Sequence, residues 1–298
     1  MDFLQKLKKI SADVRAEECM KNHTSFRIGG KADFLALVQS VEEIAGIIKL
    51  CRENDVKYTI LGNGSNVLVS DDGIDGVVIK ISGKMSTVRV EGEKIFAQAG
   101  ALLSAISHTA MENGLTGLEF ASGIPGTLGG ALYMNAGAYG GEMKDITEKI
   151  TYMDSCGEIH EISGKDAGFG YRKSIFSENE CIILSAELQL MPGNKEEIAG
   201  KMAELNGKRR EKQPLNLPSA GSTFKRPQGY FAGKLIEDCG LKGYRAGGAM
   251  VSEKHSGFVV NYDNASAEDV KRLIKEVQAQ VYEKFGVMLE PEVKFFGR

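Results

Sequence analysis

The sequence predicts an α+β protein built in three parts, on three observations. Its 298 residues exceed the roughly 100 to 200 that one core usually organises. Alternating apolar runs and patterns of helical period are interspersed along the whole chain. Composition then shifts at "PGNKEEIAGKMAELNGKRREKQ", where a charge-rich helical stretch follows a run of strands. The expected parts are residues 1–82, 83–192 and 193–298.

In the first part, Phe3, Leu4, Leu7 and Ile10 recur at helical spacing among charges and predict a short amphipathic helix. "DFLALV" reads as a strand. "SVEEIAGIIKLCREND" reads as a helix with Ser40 as N-cap, Glu43 three residues on, and Val41, Ile44, Ile47, Ile48 and Cys51 on one face. "KYTILG" is a strand ending in the turn "GNGSN", and "VLVSDDGIDGVVIKI" adds two short strands. The second part opens with the strand pair "STVRVEGEKIFAQAGA" and the helix "LLSAISHTAMENG", closed by Gly114. Strands follow at "EKITYMD", "GEIHEI" and "CIILSAELQLM". In the third part Asn194 caps a helix that finishes in Lys208, Arg209, Arg210 and Lys212, the cationic end its dipole favours. "YFAGKLIEDCG" and "SAEDVKRLIKEVQAQVYEKFG" are two further helices, the last opened by Ser266 with Asp269 and closed by Gly286. The chain ends in "VMLEPEVKFFG", read as a strand.

Composition narrows the function. A hydrophobic fraction of 42% and mean hydropathy of −0.18 are those of an ordinary globular protein. A net charge of −3 provides no basic field for nucleic acid. The N-terminal segment lacks the apolar centre of a signal peptide. Five scattered cysteines without a CxxC pair read as reduced thiols of a cytoplasmic protein, and four scattered histidines suggest no metal site. No GxGxxG, GxxxxGK[ST] or GxSxG is present, so the usual dinucleotide fold, the P-loop and the serine hydrolase elbow are not indicated.

Two glycine-rich turns remain. "FASGIPGTLGGALYMNAGAYGG", Phe120 to Gly141, has no Asp, Glu, Lys or Arg in a chain that is 26% charged. Its seven glycines, with Pro125 and Asn135, make it too poor a helix former for a membrane span. "LGNGSNVLVS" places Asn63, Gly64, Ser65 and Asn66 directly after a strand. Each could be a plain turn. Together they suit a diphosphate held by backbone N–H groups, with a ring system against an uncharged wall.

In chain order, "NHTSFRIGG", "LGNGSNVLV", the charge-free run, "GYRKSIF", "AGSTFKRP" and "LEPEVKF" span Asn22 to Phe295 and closely resemble the motifs of the UDP-N-acetylenolpyruvoylglucosamine reductase family. The resemblance implies a vanillyl-alcohol-oxidase/PCMH-like two-part FAD-binding fold in residues 1–82 and 83–192, and an α+β substrate-binding domain in 193–298. It implies that Gly62, Asn63, Gly64, Ser65, Asn66, Ser122, Gly123, Pro125, Gly126, Gly129 and Gly130 bind FAD. The implied reaction is NADPH-dependent reduction of the enolpyruvyl ether of UDP-N-acetylglucosamine to UDP-N-acetylmuramate, in peptidoglycan precursor synthesis.

Hydride from flavin N5 to the terminal vinyl carbon drives negative charge toward the carboxylate. The site therefore needs a donor at that carboxylate and a proton at the adjacent carbon. By motif position Arg172 in "GYRKS" resembles the family's arginine, Ser222 in "AGSTFKRP" its proton donor and Glu292 in "LEPEVKF" its assisting carboxyl. Periodicity alone does not separate Glu292 from Glu290, which a strand would turn to the same face. Tyr171, Lys212 and Arg226 occupy substrate-binding positions of the pattern, although Lys212 also reads as a helix-end charge. "KSIFSENE" leaves no room for the inserted loop of the family's longer branch, so the chain resembles the shorter one. Two other readings are an FAD oxidase of the same superfamily and a flavin-free UDP-sugar-binding protein. A cytoplasmic monomer, with no membrane or nucleic-acid partner, is expected.

Overall fold

A computed structural model describes residues 2–179 and 181–298. Met1 and Glu180, the latter in the short interval after Arg172, lie outside the described residues. The chain divides into two compact units. Met1–Ala16, Phe34–Asn63 and Gly76–Arg209 form the first, and Glu17–Asp33, Gly64–Asp75 and Arg210–Arg298 the second.

Helices α1 (Phe3–Ile10) and α2 (Val41–Glu53) open the first unit. The Ser40 hydroxyl accepts from the Glu43 N–H as the capping pattern requires, and Ile44, Ile47, Ile48 and Cys51 are buried. A four-stranded sheet has the order Val14–Cys19, Lys31–Leu37, Ile74–Lys80, Tyr58–Leu61, with the last two strands parallel. The strand Val14–Cys19 was not expected from the sequence, because its middle residues are exposed and follow no alternation. A second, antiparallel sheet has the order Ile159–Ser163, Thr147–Met153, Ile182–Gln189, Lys94–Gln98, Val88–Glu91. Helix α3 (Leu103–Glu112) buries Leu103, Ile106 and Ala110 and stops at Gly114, whose φ is +67°. Helix α4 (Leu128–Tyr133) lies inside the charge-free run, and α5 (Lys195–Lys212) starts where the Asn194 side chain accepts from the Glu197 N–H. One apolar core in this unit includes residues from Leu7 to Leu190.

The second unit has its own core, from Phe26, Ile28 and Leu68 through Ile236 and Val277 to Val293. It holds α6 (Ala232–Asp238), α7 (Ala267–Phe285) and the small sheet Arg245–Ala246, Ala249–Val251, Val259–Asn261. Helix α7 is opened by the reciprocal Ser266–Asp269 capping box, and the Asp71 carboxylate accepts from the Ala267 and Glu268 N–H groups. Gly286, at φ +67°, ends it. The strand Lys294–Phe296 runs parallel to Val67–Val69.

Candidate active site

In the first unit, the two glycine-rich turns meet. Leu103 N–H donates to the Gly126 carbonyl and Leu128 N–H to the Ala101 carbonyl, which seats Thr127 against Leu102 at the start of α4. A Cβ on Gly62 would stand 2.6 Å from Thr127 Oγ1, and Asn63 Nδ2 donates to the Pro125 carbonyl at 2.7 Å. Among the described residues, no hydrogen bond is donated by the backbone N–H groups of Gly123, Gly126, Thr127 or Gly130. Nearby, Asn206 Nδ2 donates to Ser122 Oγ, and Arg209 packs beneath Gly123, where a Cβ would fall 2.3 Å from Asn206 Oδ1 and 3.0 Å from Arg209 Nε. That Arg209 Nε is buried without an acceptor. Burial pulls the Arg209 pKa down, opposed by the Tyr139 hydroxyl. Free N–H groups, an unsatisfied guanidinium nitrogen and an uncharged wall match the polar and apolar halves of a dinucleotide cofactor such as FAD. These residues fit the group.

Glycine has a different task in the rest of the first turn, which belongs to the second unit. Gly64 has φ +67°, and a Cβ there would lie 2.1 Å from the His23 carbonyl oxygen. Its own carbonyl accepts from Ser25 N–H. Close backbone approach therefore requires glycine here. It also explains why "NHTSFRIGG" and "LGNGSN" occur together. Ser65 follows half-buried, and Asn66 binds the strand region Glu292–Lys294 through its side-chain amide and its carbonyl.

Arg172 sits on a two-residue turn closed by reciprocal hydrogen bonds between Gly170 and Lys173. It has φ +56°, an uncommon conformation for a residue with a side chain. Its Nη2 donates to the Gly137 carbonyl at 3.3 Å, and its guanidinium lies 5.2 Å from the ring centre of the exposed Tyr171. The charge-free run reaches this turn through Asn135, which is fully buried. Asn135 Nδ2 donates to Glu142 Oε2 at 2.9 Å and to the Gly170 carbonyl at 3.0 Å. Lys144, hydrogen-bonded to Glu142, is the largest influence holding that carboxyl below the usual range; Asn135 and Arg172 add to it.

In the second unit, backbone pairing joins the segments that carry Ser222 and Glu292, with Thr223 opposite Glu292. Glu292 N–H donates to the Thr223 carbonyl, Lys225 N–H donates to the Glu290 carbonyl, and Phe224 bridges Pro291. The buried Thr223 is fixed in turn by its N–H on the Gly257 carbonyl and its hydroxyl, which accepts from Val259 N–H. Here the structure corrects the sequence reading of "LEPEVKF". Both glutamates precede the strand Lys294–Phe296, so strand alternation does not govern them. Glu290 is exposed and ion-paired with Lys225, whereas Glu292 is half-buried. Arg226, four residues after Ser222, stacks 3.9 Å from the Phe231 ring centre and donates to the Tyr230 carbonyl. Lys212 is exposed at the end of α5.

Asp154, Glu158 and His160 form a group within 4.8 Å that the sequence reading did not anticipate. The Asp154 carboxylate accepts from Cys156 and Glu158 N–H groups and pairs with His160, as a hairpin-turn cap would. Among the described residues, no helix is long and apolar enough to cross a membrane.

The family model described as "FAD binding domain" matches residues 32–163, and "UDP-N-acetylenolpyruvoylglucosamine reductase, C-terminal domain" matches 213–296. A UDP-N-acetylenolpyruvoylglucosamine reductase of Caldanaerobacter subterraneus subsp. tengcongensis is 56% identical over 297 residues, covering 99% of this chain and 98% of that one. The chain belongs to the UDP-N-acetylenolpyruvoylglucosamine reductase family. The crystal structure of the Thermus caldophilus reductase superposes with a TM-score of 0.82 at 38% identity, over 95% of this chain and 100% of that one. A grass pollen allergen with glucose dehydrogenase activity matches at a TM-score of 0.51 and 17% identity, over 65% of this chain and 45% of that one, and shows the fold alone. Like its relatives, this reductase is an FAD-dependent oxidoreductase with NADPH as electron donor, and its fold is the two-part FAD-binding fold followed by the reductase C-terminal domain. Sequence reading had missed three residues of the site region: Asn135, Glu142 and Arg209. Asn135 lies inside the charge-free run and reads in sequence only as part of its wall, Glu142 lies one residue beyond the run and carries no signal of its own, and Arg209 reads only as a helix-end charge.

Proposed function

We propose that this chain reduces UDP-N-acetyl-3-O-(1-carboxyvinyl)-glucosamine to UDP-N-acetylmuramate with Arg172, Ser222 and Glu292 as its catalytic residues. The observation that supports the assignment in the second unit is the pairing of Thr223, the neighbour of Ser222, with Glu292, while Lys225 pairs with Glu290. Bound FAD supplies hydride to the terminal vinyl carbon, having received it from NADPH. Arg172 holds the substrate carboxylate with its planar fork and stabilises the charge that develops there. Ser222 Oγ gives its proton to the adjacent carbon, and Glu292 supports that transfer. A serine hydroxyl is a weak acid, so its position must compensate; the hydrogen bonds of Thr223 on both sides supply the rigidity.

Gly62 to Asn66 and Ser122, Gly123, Pro125, Gly126, Gly129 and Gly130 hold FAD in this reading, with Arg209 as an additional donor to an anionic part of it. Tyr171 packs beside the substrate, and Lys212 and Arg226 bind its diphosphate as point charge and planar fork. Residues 1–82 and 83–192 then divide the FAD between them, and 193–298 take the sugar nucleotide. The absence of a basic charge excess supports a chain that acts without nucleic acid, and the widely spaced cysteines support a reducing cytoplasm. A monomer is the simplest working unit for the proposed site.

An anaerobic visible spectrum tests the whole reading. A flavin band bleached by NADPH and restored by the enolpyruvyl sugar nucleotide is the expected result. A band restored only by oxygen would mean an oxidase, and a colourless protein that does not take up FAD would mean a binding protein.

A further inference from the structure

We propose that Asn135 is a positioning residue for Arg172, acting together with the Glu142 carboxylate. The proposal rests on the reading of Arg172 as the group that holds the substrate carboxylate.

The contacts form a closed circuit within the first unit. Asn135 Nδ2 ties Glu142 Oε2 to the carbonyl of Gly170, the residue that opens the Arg172 turn. Arg172 Nη2 returns to the carbonyl of Gly137, and Gly137 pairs with Glu142 in a short antiparallel bridge. Asn135 Oδ1 accepts from Lys144 N–H at 2.9 Å, so the buried amide uses three of its four hydrogen-bonding positions. The second Nδ2 contact matters most, because it crosses 35 residues of sequence to the turn itself.

Two features say that this circuit does more than fill space. Asn135 and Arg172 both hold positive φ, +43° and +56°, where a side chain is disfavoured and glycine would be at ease. Such backbone persists only where surrounding contacts over-determine it. Glu142 also exerts an attractive influence on the Arg172 guanidinium while its carboxylate is held by Lys144 Nζ at 2.8 Å and by Asn135. The negative charge of Glu142 is thus held near Arg172 by the hydrogen bonds it accepts from Lys144 and Asn135.

Asn135→Gly is the informative substitution, because glycine accepts the left-handed backbone and removes only the amide. The FAD-bound variant is compared with the parent protein in two measurements. In stopped flow, reoxidation by the enolpyruvyl substrate should slow by about 10²-fold, the cost of a misplaced reacting group, while flavin reduction by NADPH stays within about twofold. In equilibrium titration, affinity for UDP-N-acetylmuramate should fall about tenfold, and affinity for UDP-N-acetylglucosamine, which lacks the carboxylate, should not change. A merely structural role would weaken both nucleotides alike, and that outcome overturns the proposal.

The double variant with Arg172→Ala separates this idea from the reading beneath it. If Asn135 acts through Arg172, the double variant is no slower than Arg172→Ala alone. Losses that multiply overturn the positioning role and leave the arginine's role intact. An Arg172→Ala protein that keeps full reoxidation overturns both. Should Asn135→Gly fail to hold FAD, Asn135→Asp gives the same test: it keeps the shape but turns an acceptor toward Glu142 and the Gly170 carbonyl, and reoxidation unchanged in that variant also overturns the proposal.

Discussion

The Arg172 turn and the Ser222–Glu292 pair reach comparable positioning by opposite means. Arg172 stands on a left-handed turn tied to one buried side chain, Asn135, and through it to the Glu142 carboxylate. The segments that carry Ser222 and Glu292 are joined by main-chain hydrogen bonds through Thr223. A site part held by side chains is vulnerable to substitutions outside it. A part held by backbone tolerates side-chain changes and should report only chemistry.

Five substitutions sharpen that contrast, from the largest expected effect to the smallest. Ser222→Ala should leave folding and NADPH-dependent bleaching intact while substrate-driven reoxidation slows by about 10²–10⁴-fold, the usual worth of a positioned proton donor. Equal losses in the two half-reactions would deny Ser222 that role. Arg172→Lys keeps the charge but not the fork, and single-turnover reoxidation should fall by about 10²–10³-fold; a loss under tenfold would mean that charge alone suffices.

Gly64→Ala should lower stability by about 2–4 kcal/mol in urea unfolding, combining a left-handed backbone with overpacking. Gly83 has nearly the same φ, +64°, but nothing within 4 Å of its would-be Cβ, so Gly83→Ala should cost only about 1 kcal/mol. Equal costs would show that conformation, not the His23 carbonyl, governs Gly64. Glu290→Ala is the mildest: it removes an exposed ion pair with Lys225 worth about 0–1 kcal/mol, and turnover should stay within about threefold. A large loss in turnover would reverse the choice of Glu292 over Glu290.

Much of the fold was legible wherever a local signal coincided with burial. Ser40, Asn194, Ser266 with Asp269, Gly114 and Gly286 mark helix ends in the sequence and do so in the structure. The strand Val14–Cys19 was not legible because its exposed middle carries no alternation, and α4 was hidden by the glycines around it. Family motifs located the candidate site residues. Periodicity does not separate Glu290 from Glu292; the family pattern favours Glu292, and Lys225 pairs with Glu290. The role proposed for Asn135 leaves no sequence signal, since its partner Gly170 lies 35 residues away. Contacts of that range leave no periodic trace.

The parallel pairing of Val67–Val69 with Lys294–Phe296 has a consequence for biosynthesis. Both strands belong to the second unit, yet its early segments leave the ribosome long before the residues that complete it. At bacterial elongation speeds of about 5–20 residues per second, Val67 waits about 10–45 s for Lys294. Throughout that interval the apolar side chains of Phe26, Ile28 and Leu68 lack the partners from Ala220 to Val293 that bury them in the finished protein. The core of the second unit can therefore close only once the chain has been made through Val293.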